Sequence, residues 1–190
     1  MKLVKALSII TIGVFLFLYF YRYQTLQQRY PNPVNETVGI GEAIEDGSFT
    51  VTLQKSTLIE GNELKKLAPN IVIARHADGT PYEGKSIRIL LADIRVKKTQ
   101  ECEDTYNFTK ILCESGAWSN GLDGELFMQL NKGISMVHED VPYNHYIDVI
   151  LPFSMVETMF KDSDWKSVDS RSFGLIYSLY PMKKSMITSP

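Results

Sequence analysis

The sequence contains few of the residues from which catalytic and metal sites are built. Among 190 residues there are two cysteines and three histidines. The cysteines do not form a C-x-x-C pair and no two histidines stand four residues apart, so neither the common redox motif nor a helical pair of metal ligands is present. We therefore expect no cofactor and assign no catalytic residue from the sequence.

Clustered positive charge is also scarce. Residues 1–30 carry four basic and no acidic side chains, so the remainder has 16 basic against 22 acidic side chains and a net charge of -6. A nucleic-acid-binding domain normally has clustered Lys and Arg that pair with phosphates. This charge balance argues against nucleic acid as a partner. Hydrophobic residues make up 44% of the chain, which is typical of a globular domain.

The long apolar run lies at the N-terminus. Between Ala6 and Tyr21 only Ser8 and Thr11 interrupt the aliphatic and aromatic side chains. A transmembrane helix needs roughly 20 such residues, and aromatic side chains anchor its end at the membrane surface. The pattern predicts a single-pass signal anchor over residues 1–23, with a cytoplasmic N-terminus and the acidic C-terminal domain outside the cell.

A cleaved secretory signal is the alternative to this anchor. Signal peptidase requires small residues after the apolar region, whereas this region ends in bulky aromatic side chains, so the uncleaved form is favoured over a secreted protein. The residues that follow are polar and include Pro31 and Pro33, which end a helix and favour extended backbone. We therefore predict a linker over residues 24–37 and an extracytoplasmic domain over residues 38–190.

The body of the chain alternates apolar and polar side chains with the period of β-strands. Alternation is clear in SFTVTL (48–53), YIDVILPF (146–153) and FGLIYSLYP (173–181). Helical patterns are weaker: the capping box of Ser154 and Glu157 predicts a short crossover helix, and residues 61–67 predict one turn. Short strands between turn residues predict a mainly β protein, an antiparallel immunoglobulin-like β-sandwich with a short crossover helix, preceded by one N-terminal transmembrane helix.

Segment 87–96 changes the phase of its alternation. Odd-numbered apolar residues share one face and even-numbered ones then share the other: Ile87, Ile89 and Leu91, then Leu90, Ala92, Ile94 and Val96. Such a strand either contains a bulge or passes from one sheet to another. Weaker strand patterns occur over residues 70–75, 125–130 and 134–139.

The two cysteines, Cys102 and Cys113, flank a polar loop. A redox pair or a zinc site would need a different spacing or further ligands. In an oxidising compartment two cysteines about ten residues apart most simply form a disulfide, and closing a loop of this size stabilises a domain by roughly 3 kcal/mol. We therefore predict a structural disulfide, with two free thiols as the alternative.

The segment VHEDVPYNHY groups His138, Glu139, Asp140 and His145. The two histidines are the candidates for a metal or acid–base site, although their spacing and the intervening Pro142 favour an ordinary turn. The alternative function that this segment suggests is an envelope enzyme, or a metal or ligand sensor, that uses residues His138 to His145.

Two weaker patterns concern modification and recognition. Asn35 and Asn107 match the acceptor sequence for N-glycosylation, whose use depends on the source of the chain. Four aromatic side chains either line a binding surface or are partly buried in the sandwich: Trp118, Tyr143, Tyr146 and Trp165.

The sequence resembles uncharacterised membrane-anchored or secreted proteins of Gram-positive bacteria with an immunoglobulin-like (telokin-like) domain. The resemblance rests on the apolar N-terminus and on three segments, VGIGEAIEDGSFTVTL, YIDVILPF and FGLIYSLYP. The resemblance covers residues 36–187 and implies the sandwich fold, but no site residues, because that family has no established activity. Typical members have a lipid-attachment cysteine or a cleavable signal, and this chain has neither. We expect a membrane-anchored extracytoplasmic binding or interaction module whose partner is another envelope or surface protein.

Overall fold

The computed structural model describes residues 2–30 and 34–188, with side chains from Ile12 onward. The chain forms two compact units, one up to Val34 and one from Asn35. The first unit contains the helix α1 (Lys2–Arg29). This helix continues beyond residue 24, where the sequence predicts a linker, because residues 25–29 include the good helix formers Leu, Gln and Arg. Pro31 and Pro33 lie outside the described residues.

Aliphatic and aromatic side chains surround the middle of α1, since every residue from Val14 to Tyr21 belongs to these classes. Phe15, Phe17 and Phe20 are each more than half exposed. Among the described residues, however, no helix is long and apolar enough to cross a membrane. The span predicted over residues 1–23 is thus not found there, and the side chains of residues 1–11 lie outside the description.

In the described residues from Val34 onward, nine strands and three short α-helices form the second part of the chain. The strands are β1 (Val34–Val38), β2 (Ala43–Asp46), β3 (Phe49–Glu60), β4 (Ile87–Lys98), β5 (Leu112–Ser115), β6 (Trp118–Gly121), β7 (Tyr146–Val156), β8 (Gly174–Ser178) and β9 (Met182–Ile187). The helices are α2 (Gly61–Leu67), α3 (Gly124–Leu130) and α4 (Asp162–Lys166).

The strands form two sheets, with the orders β1-β9-β8-β5-β6 and β2-β3-β4-β7. Every strand pair with a defined register is antiparallel. Val51, Ile94 and Leu151 of the second sheet belong to the same buried cluster as Leu175 and Met186 of the first. The fold is therefore mainly β and sandwich-like with short helices. This confirms the predicted mainly β sandwich architecture.

The change of phase predicted within 87–96 has a different structural basis. β4 pairs with β7 without a break from Ile87↔Val156 to Lys97↔Tyr146, so it has no bulge there and stays in one sheet. Its even-numbered residues contact the main core, whereas Ile87 and Ile89 belong to a second cluster on the outer face. β4 is buried on both faces because that outer face is also covered.

The bulge lies in the neighbouring strand β3, where the register with β4 shifts between Leu53 and Lys55. One extra residue reverses which side chains face inward. Val51 and Leu53 face the main core before the bulge, and Leu58 contacts it after the bulge. The second half of β3 therefore presents its even-numbered side chains to the inner face of the sheet.

α2 and α3 cover the outer face at one end of the second sheet. The outer cluster consists of Ile59, Leu64, Ala68, Ile71, Ile87, Ile89 and Leu126. α2 begins at Gly61, whose ideal Cβ position lies only 2.9 Å from the backbone nitrogen and oxygen of Gly84. Only a residue without a side chain allows this close approach of the two backbones, which fixes the start of α2.

Two sequence predictions of short elements are wrong. Residues 125–130 belong to α3 and not to a strand, because Asp123 caps the helix by accepting a hydrogen bond from the Leu126 N–H at 3.1 Å. The predicted helix after Ser154 is replaced by the end of β7 and a 3₁₀ turn, Glu157–Met159. Ser154 donates its hydroxyl hydrogen bond to Asp123 and does not cap a helix.

The two other weak strand predictions are also not confirmed. Residues 70–75 and 134–139 are loops, with isolated bridges at Arg75 and Glu139. Conversely, the sequence does not predict the short strands β1, β2, β5, β6 and β9, because VNETV, AIED, LCES, WSNG and MKKSMI show no clear alternation of apolar and polar residues.

Candidate functional site

A cleft of about 500 Å³ lies between the second half of β3 and the segment that leads into β8. The bulge in β3 turns the side chains of Ser56, Leu58 and Glu60 toward the cleft, and all three line it. Arg171 and Phe173 line the opposite side. The cleft therefore combines charged groups with an apolar surface that continues into the core.

Arg88 is the fixed charge at the centre of this cleft and is only 6% exposed. Its Nε and Nη2 donate to the two carboxylate oxygens of Asp169 at 2.6 and 3.1 Å. Its Nη1 donates to the carbonyl oxygens of Lys85 and Ile87 at 2.9 and 3.1 Å, and Nη2 lies 3.3 Å from Glu60 Oε1. All three guanidinium nitrogens thus have partners within the protein, so Arg88 organises the cleft and is not available to an added anion.

The pairing of Arg88 and Asp169 favours the charged form of both groups. Hydrogen bonding to Asp169 raises the pKa of the Arg88 guanidinium, against the opposing effect of burial. Hydrogen bonds from Arg88 lower the pKa of the Asp169 carboxyl below its usual value. The Arg88 guanidinium carbon also lies 5.6 Å from the centroid of the Trp165 ring, within the range of a cation–π contact.

Two further carboxylates at the cleft are only partly used by the protein. Glu60 is the residue before α2 and Glu63 lies in its first turn. Glu63 Oε2 accepts a hydrogen bond from the Glu60 N–H at 3.0 Å. Glu60 Oε1 contacts Arg88, and the Glu60 side chain also accepts from the Glu63 N–H in a reciprocal capping box. A carboxylate has about four lone-pair sites, so both groups keep capacity to accept further hydrogen bonds.

The remaining cation, Arg171, is already neutralised. Its Nη2 donates to Asp164 Oδ1 at 2.6 Å. Arg88 and Arg171 therefore supply two positive charges against the four carboxylates of Glu60, Glu63, Asp164 and Asp169, which leaves the cleft and its rim with a net charge of -2.

Ser56 gives the cleft an unusual polar group. Its Oγ is inaccessible to solvent and has no hydrogen-bond partner within the described residues. Burying a hydroxyl without a partner costs roughly 1–3 kcal/mol in proteins. Leu58, Leu90 and Phe173 supply the apolar surface beside it.

The aromatic candidates are divided between two places. Trp118 and Trp165 lie on either side of Phe160, with ring centroids 5.4 and 5.5 Å from it, next to the cleft. Tyr143 and Tyr146 are exposed in another part of the chain, where Arg95 lies 4.1 Å from the Tyr146 ring centroid. The structure thus brings only the two tryptophans near the candidate site.

The predicted disulfide is not formed in the structure. Cys102 and Cys113 are free thiols, and their side chains occupy different environments. Cys113 lies on the face of β5 that packs against the main core, where burial raises the pKa of its thiol. Cys102 is exposed on the loop after β4, and its Sγ contacts the carbonyl oxygen of Gln100 at 3.6 Å. The spacing of the cysteines could not reveal that one of them faces the core.

The candidate histidines are held by separate local contacts. His138 Nδ1 lies 3.2 Å from Thr105 Oγ1, and His145 Nδ1 lies 3.0 Å from the carbonyl oxygen of Tyr143. Within residues 2–30 and 34–188, no group of three or more His, Cys, Asp or Glu side chains is arranged to hold a metal ion. His138 and His145 are therefore not part of a metal-binding group within these residues.

The residues that line the cleft were not predicted from the sequence. One signal was present: Arg88 occupies an even-numbered position on the buried face of a strand, and a charge there requires a partner. Its partner Asp169 lies 81 residues away, and no local pattern connects them. Glu60 and Ser56 join the cleft only because of the bulge in β3.

The fold and the cleft define a β-sandwich domain with a preformed charged pocket. Residues 29–184 match the family described as "Domain of unknown function (DUF5028)", so the chain belongs to this family. The resemblance drawn from the sequence is confirmed as far as an uncharacterised β-sandwich family. None of the curated proteins compared with the chain matches it.

Three solved structures are among those similar to the chain. The yjhA protein from Bacillus subtilis has 11% identity and a TM-score of 0.45, over 77% of this chain and 85% of that one. A functionally unknown protein from Listeria monocytogenes EGD-e has 12% identity and a TM-score of 0.46, over 79% and 81%. An uncharacterized beta-sandwich protein from Clostridium difficile 630 has 10% identity and a TM-score of 0.46, over 82% and 95%.

Proposed function

We propose that the protein is a binding module tethered to the outer face of the cell membrane by α1, and that its cleft binds part of another envelope or surface protein. The cleft carries this proposal, because it is concave, charged and fixed before any ligand arrives. A preformed lining reduces the entropy lost on binding, which favours recognition.

The rigidity of the cleft comes from its hydrogen bonds. Arg88 connects the start of β4 to the turn that contains Asp169 and to the residue before α2. Arg171 is held by Asp164 of α4. Four parts of the fold therefore meet at one set of charged contacts, which suits a recognition site better than a solvated surface.

The tether is supported by the composition of α1. Its exposed aromatic and aliphatic side chains form an apolar surface of a kind that soluble domains normally bury against a membrane or a partner. The short N-terminus and the acidic body favour a cytoplasmic start and an external domain. An immunoglobulin-like origin of the sandwich belongs to the same proposal and stays a prediction.

A photo-crosslinking amino acid at Leu58 tests the binding function. Leu58 is a half-buried residue on the inner face of β3 and lines the cleft, whereas Asp78 is exposed in the turn after His76 and serves as the control position. In intact cells that express the full chain, we expect irradiation to give an adduct of defined mass from Leu58 and none from Asp78. Equal adducts from both positions, or none from Leu58, would contradict the proposal.

A further inference from the structure

The charges of the cleft favour a cationic ligand. Arg88 and Arg171 are each neutralised by an aspartate, which leaves Glu60 and Glu63 as the source of the net charge of -2. An anion would meet these two carboxylates and would find the guanidinium nitrogens of Arg88 already occupied. Complementary charge is what selects a partner at such a surface.

The contacts that the two glutamates already make limit which cation they can bind. The Glu60 carboxylate contacts Arg88 and the Glu63 N–H, and the Glu63 carboxylate accepts from the Glu60 N–H. These contacts disfavour a bidentate pair between either carboxylate and the planar fork of a guanidinium. A primary ammonium is a compact charge with three donors, and it can donate one hydrogen bond to each carboxylate.

The apolar side of the cleft suits the methylene groups of a side chain that ends in an ammonium. Leu58, Leu90 and Phe173 lie beside the charged residues, and Leu90 and Phe173 are buried members of the core. Long basic side chains place their methylene groups along such a surface while the charged end stays among polar groups.

We propose that the cleft binds the ammonium group of a lysine side chain of the partner protein, through Glu60 and Glu63. This inference rests on the proposed function, since it names the chemical group that the cleft recognises. A metal ion is a poorer match, because the described residues contain no group of three suitable ligands.

Nα-acetyl-lysine N-methylamide is the probe that tests this inference. We expect it to shift the backbone amide NMR signals of residues 56–60 in the full chain in detergent micelles, with saturation in the millimolar range that suits a small ligand. The norleucine analogue has the same length without the ammonium, and we expect no such shifts from it. The glutamate analogue, of opposite charge, should also leave these signals unchanged.

Two double variants complete the test. Glu60→Gln with Glu63→Gln keeps the size of both side chains and one acceptor oxygen in each but removes both charges, and should weaken lysine-probe binding about tenfold. Glu101→Gln with Glu103→Gln removes two charges from an exposed loop and should leave binding unchanged. The overall NMR spectrum of each variant shows whether it remains folded.

The other outcomes separate this inference from the proposed function. If the glutamate probe binds and the lysine probe does not, the ammonium is the wrong chemistry but the cleft is still a binding site. Equal shifts from the lysine and norleucine probes would show an apolar site and overturn the inference. Absence of shifts from every probe overturns it too, while crosslinking at Leu58 decides independently whether the cleft has a partner.

Discussion

Two buried tyrosines near Asp46 differ by one hydrogen bond. The Tyr106 hydroxyl donates to Asp46 Oδ2 at 2.8 Å, and Lys110 Nζ lies 2.6 Å from the same oxygen. The Tyr177 hydroxyl is buried without a partner among the described residues. Burial raises the pKa of both phenols, so both are neutral at physiological pH. The Tyr106 hydroxyl therefore stabilises the fold through its hydrogen bond, whereas the buried and unpaired Tyr177 hydroxyl destabilises it.

Phenylalanine substitutions measure this difference. Tyr177→Phe removes an unsatisfied hydroxyl, so we expect the free energy of unfolding to stay constant or rise by up to about 1 kcal/mol. Tyr106→Phe removes a hydrogen bond and should lower it by about 1 kcal/mol. Urea denaturation of the full chain in detergent compares the two variants. Both remove a phenolic hydroxyl, and only the Tyr106 hydroxyl has a hydrogen-bond partner among the described residues. A larger loss for Tyr177→Phe would show that its hydroxyl has a partner after all.

Individual contacts at the site were the least predictable part of the protein. The buried face of β4 could be recognised from alternation, and Arg88 stood on that face as an unexplained charge. Its contact with Asp169 depends on how the chain returns to the sheet after β7, which no local pattern encodes. The same limit explains the wrong disulfide prediction, since the burial of Cys113 depends on which face of β5 meets the core.

The β-bulge in β3 is the element that creates the cleft. Without the register shift after Leu53, Ser56, Leu58 and Glu60 would point to the outer face of the sheet. Clear alternation over 48–53 predicted the first half of this strand, but QKSTLIE, residues 54–60, is too irregular to predict the second half. Bulges often redirect side chains next to functional sites, and β3 fits that pattern.

The start of α2 fixes the two glutamates that we assign to ligand binding. Gly61→Ala would place a methyl group 2.9 Å from the backbone of Gly84, so the helix must shift. We expect a loss of about 1–3 kcal/mol in the free energy of unfolding, together with weaker binding of the lysine probe because Glu60 and Glu63 move. Urea denaturation and NMR titration measure the two effects.

Gly121→Ala is the matched control for this substitution. No atom lies within 4 Å of its ideal Cβ position, and its backbone needs no left-handed conformation. We expect unchanged or slightly higher stability and normal probe binding. If Gly61→Ala were equally mild, the close approach of α2 to Gly84 would not be a constraint, and the position of the glutamates would need another explanation.

Elements with clear alternation were predicted more successfully than elements without it. The strands with clearly alternating residues correspond to parts of β3, β4, β7 and β8, and the single turn over 61–67 is α2. Segment 125–130 was a weak strand prediction, and the Asp123 cap and packing on both sides of the helix select α3. Tertiary packing therefore decided the cases where local patterns were ambiguous.

At the scale of the whole molecule, the proposal combines an apolar helix with an acidic sandwich. The family match covers residues 29–184, so it includes the sandwich and excludes most of α1. The composition of the two parts predicted that they differ in environment, and the structure describes each as its own unit. What the sequence could not predict is the cleft, because its lining comes from β3, β4, α2 and the segment before β8.

The location of the domain outside the cell is the central claim, and Cys102 offers the most direct test of it. This thiol is free and exposed, whereas Cys113 is fully buried and protected from reagents in the folded protein. A membrane-impermeant maleimide applied to intact cells should label the wild-type chain but not Cys102→Ser. After denaturation with urea both chains should react, which confirms that each thiol is present. Labelling of the wild-type chain only after the cells are lysed would contradict the account.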